Sequence, residues 1–158
     1  MTLLRRTRLV CLAVIAAAAA LRAAESGRVE VLRQLKGPNH TVVIIRFDYD
    51  SGKATRTVVD EKSGKVLKEE VLRGRPQSNK REFQRAVSII AGDPNLSALL
   101  SAGAATEGGF IVDGPPGHPG NHRYIQIRIL SSDRRTLLRV VVVDLSAEVV
   151  AAVRDSFE

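Results

Sequence analysis

Apolar positions follow two periods along this chain, and the change from one to the other marks its elements. From Ser78 to Gly92 the period is helical. Phe83, Ala86, Val87 and Ile90 fall at i, i+3, i+4 and i+7, with Lys80, Arg81, Gln84 and Arg85 on the opposite side. Asn79 precedes this stripe and Glu82 stands three residues after it, the spacing of a capping box. Burial of Phe83, Val87 and Ile90 is expected to contribute roughly 1.5–3 kcal/mol each before chain entropy is subtracted.

On either side the period falls to two. His40 to Asp48 is rich in β-branched residues, and its alternation predicts Val43, Ile45, Phe47 and Tyr49 on a buried face, with Arg46 and Asp48 opposite. Turn chemistry at Asp50-Ser51-Gly52-Lys53 and Glu61-Lys62-Ser63-Gly64 separates this strand from two more, Ala54 to Asp60 and Lys65 to Leu72. After the helix, Asp93-Pro94 reads as the cap and first residue of a second, short helix carrying Leu96, Leu99 and Leu100 and ending at Gly103. A brief strand Phe110-Ile111-Val112 follows, then the irregular loop Gly114 to Asn121. Tyr124 to Leu130 sets Ile125, Ile127 and Ile129 against Gln126 and Arg128, and Leu137 to Leu145 is apolar enough for a central strand. Glu148 to Val153 is read as a last strand in preference to a helix. Glu25 to Lys36 fits a strand or a helix equally, and that choice stays open.

These elements predict an α+β fold: an antiparallel sheet made of two meanders, covered by one main helix and a short second one. The chain divides into residues 1–23 as a signal peptide, 24–39 as a segment of undetermined structure and 40–158 as a single α+β domain. One echo recurs. Val59-Asp60 before Glu61-Lys62-Ser63-Gly64 and Val143-Asp144 before Leu145-Ser146-Ala147-Glu148 both end a Val-rich strand with an Asp, which predicts hairpins whose Asp accepts turn N–H bonds.

The net charge of +7 changes less than it promises. Four of the 24 basic residues, Arg5, Arg6, Arg8 and Arg22, precede position 24 with no acidic residue among them; the remaining 20 face 17 acids, a net of +3. With no Trp and few Tyr and Phe there is little to stack on bases, and no nucleic-acid partner is expected. The basic start, the apolar run Leu9 to Leu21 and the small residues Ala23 and Ala24 have the layout of a signal peptide, with cleavage near Ala24. The run is shorter than the ~20 residues a membrane-spanning helix requires. Export to the periplasm or the outside follows, and contact with the membrane is expected only through the uncleaved signal segment. Cleavage also removes Cys11, the one cysteine.

No catalytic set emerges. Serines sit mainly in turns, and Gly114 to Gly120 lacks the Gly-Lys-Ser/Thr ending of a phosphate loop. Glu69 and Glu70, neighbours on a strand, point to opposite faces. No cofactor or metal is assigned. The imidazoles that come nearest to a metal site are His118 and His122, which flank Pro119-Gly120-Asn121 on a Gly/Pro loop.

The run from Val42 to Gln77, followed by EFQRAVSIIAGDP, resembles the small N-terminal domains of copper amine oxidases. The residues that carry the likeness are Val59, Asp60, Gly64, Pro76, Glu82, Phe83, Ala86, Asp93 and Pro94, and the strands HRYIQIRIL and VVVVDLSAEVV are similar to later strands of those domains. The likeness spans roughly Thr41 to Val150. It implies a cystatin-like layout, one helix lying across an antiparallel sheet. PepSY-type domains, which share the Asp-turn-Val hairpin, are the second resemblance. The amine oxidase reaction belongs to a separate, large catalytic domain, so neither that activity nor its copper carries over. The expectation is a non-catalytic exported module that binds a protein or peptide. The alternative is a small-ligand or metal-binding protein that uses the Gly/Pro/His loop.

Overall fold

A computed structural model describes residues 28–155. The signal segment read over residues 1–23 lies outside them. Residues 40–158 are read above as one domain; the chain divides into two compact units, with the division between Gly74 and Arg75. Their architecture is mostly β, with two antiparallel four-stranded sheets and two short helices among the described residues.

The first unit holds β1 (Val29–Lys36), β2 (Thr41–Asp48), β3 (Lys53–Asp60) and β4 (Val66–Val71), paired in sequence order. For the described residues of the open segment, the choice resolves as strand β1, joined to β2 through Gly37-Pro38-Asn39-His40. The expected burial of β2 holds at its end, where Phe47 and Tyr49 are buried with ring centroids 5.2 Å apart, and needs correction before it. Val42 and Ile44 are buried and pack with Val59, Arg46 is buried at the same parity of the strand, and Val43 and Ile45 are half-buried. Four consecutive apolar residues make either parity a credible inner face, so alternation alone does not decide. Arg46 is accommodated there because its Nη2 donates to Glu69 Oε2 at 3.0 Å and Thr57 Oγ1 at 3.2 Å.

The second unit holds α1 (Lys80–Gly92), α2 (Ser97–Ser101), β5 (Ala105–Val112), β6 (Tyr124–Leu130), β7 (Leu137–Asp144) and β8 (Val149–Arg154), with the strands again in sequence order. The capping box of α1 forms as its spacing predicts: Glu82 N–H donates to Asn79 Oδ1 at 2.8 Å, and the Glu82 carboxylate reaches back to the Asn79 N–H. Residues of α1 touch all four strands of this sheet. Ile125, Ile127, Ile129, Val141 and Val143 are fully buried, along with Ala86, Ile90 and Leu145. Burial of this kind contributes roughly 1.5–3 kcal/mol for each large aliphatic chain.

The buried line of α1 and two element boundaries differ from expectation. Phe83 and Val87 are only half-buried, and the fully buried line of α1 is Glu82, Ala86 and Ile90. α2 begins at Ser97, because Asp93 and Pro94 form a turn in which Asp93 Oδ1 accepts the Asn95 N–H. β5 runs through Gly108 and Gly109, which a propensity reading places before the strand. Both have positive φ, and the extra residue between Gly108 and Phe110 is a β-bulge.

Candidate functional site

The Gly114 to Asn121 loop holds the two histidines named from sequence. It is irregular as expected, and it packs on Tyr124. A Cβ at Gly114 would lie 2.5 Å from the Tyr124 ring, so only glycine fits against the aromatic face. The Tyr124 hydroxyl donates to the Pro119 carbonyl at 2.9 Å. His118 meets the same ring edge-on and His122 stacks on it, with centroids 6.2 and 6.3 Å away. Burial, and next the nearby Asp144 carboxylate, push the Tyr124 phenol above its ordinary value.

His122 is therefore no free loop histidine. Its Nδ1 lies 2.7 Å from Oδ2 of the buried Asp144. The other Asp144 oxygen accepts the N–H groups of Ser146 and Ala147, both at 2.9 Å. That is the predicted turn role of this Asp, and it leaves the carboxylate shared between hairpin and imidazole. His118 is exposed, and His40 belongs to the first unit. Among the described residues, no three His, Cys, Asp or Glu side chains are arranged to hold a metal ion.

The residue after His122 belongs to an ion pair that sequence reasoning missed. Arg123 and Glu82 each have side chains 1% exposed. Arg123 Nε donates to Glu82 Oε1 at 2.6 Å, and Nη2 donates to Oε2 at 2.9 Å. Nη2 also reaches the carbonyls of Pro76 at 3.0 Å and Gln77 at 3.4 Å, which ties the segment before α1 to the start of β6. Arg123 N–H donates to Ser146 Oγ at 3.1 Å. The only sequence signal was a charge pattern, an acid in the first turn of a helix and an Arg just before an apolar strand.

The other candidate surface is a strand edge. β1, β4, β5 and β8 are the outer strands of the two sheets, and each carries a one-residue bulge, a device that discourages edge pairing. β4 is the most exposed of them. Val66, Leu67 and Val71 are 43%, 55% and 61% exposed. Its bulge is at Leu67, so Lys68 to Val71 keeps regular pairing with β3 and presents a regular outer side. The two glutamates point to opposite faces as expected. Glu69 takes Arg46 and Thr57, the latter donating at 2.9 Å, while Glu70 takes Arg56 at 3.0 Å and Lys68 at 2.5 Å. Hydrogen bonds from Lys68 and then Arg56 hold the Glu70 carboxyl below its ordinary range.

Chemically, neither surface assembles a nucleophile with a base and an oxyanion donor. The His122–Asp144 pair orients an imidazole, and the β4 edge offers backbone pairing groups flanked by apolar and charged side chains. In comparison with known proteins, the chain matches no protein-family model and no curated protein.

Proposed function

We propose that this protein is an exported, non-catalytic interaction module that binds a protein or peptide along the outer edge of β4. The observation that carries the reading is the exposure of Val66, Leu67 and Val71 on an outer strand with a regular stretch from Lys68 to Val71. An extended segment added there gains main-chain hydrogen bonds, and the flanking side chains select it. The signal-like residues 1–23 support a periplasmic or extracellular location. Within the second unit, a helix touching every strand of an antiparallel sheet supports a cystatin-like layout of the kind found in copper amine oxidase N-terminal domains, with PepSY-type domains second.

The test is capture from envelope extract with three forms of the purified protein. Leu67→Lys with Val71→Lys is expected to lose the partner, while His118→Ala with His122→Ala keeps it. Retention by the β4 variant would refute the edge as the binding surface. One observation favours a second reading, a metal or small ligand at the Gly/Pro/His loop: Asp144 fixes the His122 ring through Nδ1, as carboxylates do behind metal-bound imidazoles. Calorimetric titration of the protein with zinc and with copper decides it, because tight 1:1 binding lost with His118 and His122 would favour that reading.

A further inference from the structure

We infer that the partner strand at the β4 edge is β4 of a second copy of this chain, paired antiparallel about a two-fold axis at Glu69. The inference rests on the reading of β4 as a binding edge and names its occupant. A two-fold axis perpendicular to a continuous sheet must pass through a residue paired with its own symmetry mate, because directly opposed residues share a face. The regular stretch of β4 allows few such centres, and the side chains discriminate between them.

Centring on Lys68 sets Lys68 against Lys68 and Leu67 against Glu69. Centring on Glu70 sets Glu70 against itself and leaves Lys68 facing Leu72. Centring on Glu69 instead places Lys68 opposite Glu70 of the second copy, twice by symmetry. It also places Leu67 opposite Val71, again twice, which joins the two most exposed apolar side chains of the strand. Opposite charges and apolar pairs directly across a ladder are the combinations that stabilise it.

The one like pair, Glu69 against Glu69, sits on the axis. Each of these carboxylates already holds the Arg46 guanidinium at 3.0 Å and the Thr57 hydroxyl at 2.9 Å, so the pair enters the contact compensated. The bulge at Leu67 falls at the rim of the paired stretch and limits it to about five residues on each strand. So short a contact fits a weak, reversible dimer rather than an obligate one. The same charges oppose other registers and unrelated edges.

The register is tested by exchanging charges and measuring sedimentation velocity over a concentration series. The unaltered protein is expected to show a reversible monomer–dimer equilibrium. Lys68→Glu and Glu70→Lys each place like charges opposite one another twice, and each is expected to weaken the dimer roughly tenfold or more. An equimolar mixture of the two variants restores both opposite-charge pairs in the heterodimer, and dimer should reappear. Far-UV circular dichroism of each variant confirms that the fold is kept. A monomer at every concentration up to the solubility limit would overturn the inference, as would a mixture no more associated than either variant alone. If the protein is monomeric while the Leu67→Lys, Val71→Lys variant still loses a captured partner, self-pairing fails and the edge reading survives. If neither dimer nor partner depends on β4, both fail.

Discussion

Removing one member of the Arg123–Glu82 pair is expected to unfold the second unit far more readily than removing any surface ion pair. Both side chains are 1% exposed, and the guanidinium makes two bonds to the carboxylate and two to the carbonyls of Pro76 and Gln77. Taking away one partner leaves a buried charge without its counter-charge, which costs about 3–5 kcal/mol. Glu82→Ala also removes the reciprocal half of the capping box, and a lost cap adds roughly 1 kcal/mol. Glu82→Gln keeps an acceptor for the Asn79 N–H, so comparing it with Glu82→Ala separates the cap from the charge. The double variant Glu82→Gln, Arg123→Met removes both charges, and its cost should lie closer to one single variant than to their sum. The coupling expected is about 2–3 kcal/mol, at the upper end for residues in one network. Urea unfolding followed by the helical circular dichroism signal measures each corner of the cycle, with an unchanged slope confirming a common unfolded state. Single variants each costing under about 1 kcal/mol, or additive within ~0.5 kcal/mol, would show that the pair does not hold α1 to β6.

The remaining predictions concern packing, backbone strain and pH. Full burial would make Phe83→Ala cost roughly 3–5 kcal/mol, but the ring is half-buried, so about 1–2 kcal/mol is expected, against about 2–5 for the fully buried Ile90→Ala. Thermal melts that rank the two in reverse would contradict the burial. Glu148 has φ 60 at the hairpin position where the two earlier Asp hairpins have Gly52 and Gly64, and its carboxylate pairs with Arg85. Glu148→Gly and Glu148→Ala both lose the ion pair, but only Gly relieves the left-handed backbone, so Gly should be the more stable by about 1 kcal/mol in urea titration. The Ser63 hydroxyl, then the Ser63 N–H, hold the Asp60 carboxyl below its ordinary 3.8. A depressed carboxyl stabilises the fold above its unfolded pKa and loses that contribution as pH falls through the folded one. Asp60→Ala should therefore lower the urea midpoint at neutral pH, and the gap should close well below pH 3.8; a gap that does not depend on pH would refute the linkage.

The hairpins show how much of the fold is legible in residues, and why. An Asp at the end of a strand can accept the N–H groups two and three residues on, so the chain must turn there. Asp60 and Asp144 do this as their echo predicts. The structure adds a third case: Asp48 Oδ1 accepts the N–H groups of Asp50 and Ser51, and Gly52 follows with positive φ. The signal was present, since Asp-x-x-Ser-Gly occurs at Asp48 and again at Asp60. Local chemistry of this kind places strand ends reliably. It does not say that the meanders close into separate units, because that depends on which apolar faces meet across the chain.

The candidate sites were harder to read for the same reason. A residue's pattern position states what its side chain is, and a site depends on what stands opposite it. Arg123 precedes a strand of isoleucines, and its place in the pattern does not mark it as buried; Glu82, 41 residues earlier, meets it at a helix N-terminus. His122 reads as a loop residue, and only the Asp144 hairpin turns it into a held imidazole. At β4 the residues are legible but their meaning is not, since Lys68-Glu69-Glu70 suits any exposed strand. Pairing order makes it an edge, and the bulge at Leu67 sets where regular pairing begins. The cross-strand partners then divide the charges: Glu69 turns inward to Arg46, and Lys68 and Glu70 stay together on the other face. A ladder partner on that edge must therefore match an alternation of apolar, basic, acidic, acidic and apolar residues read backwards. Another β4 meets that requirement with one compensated exception, so the proposed pairing would be selected by register rather than by hydrophobicity alone.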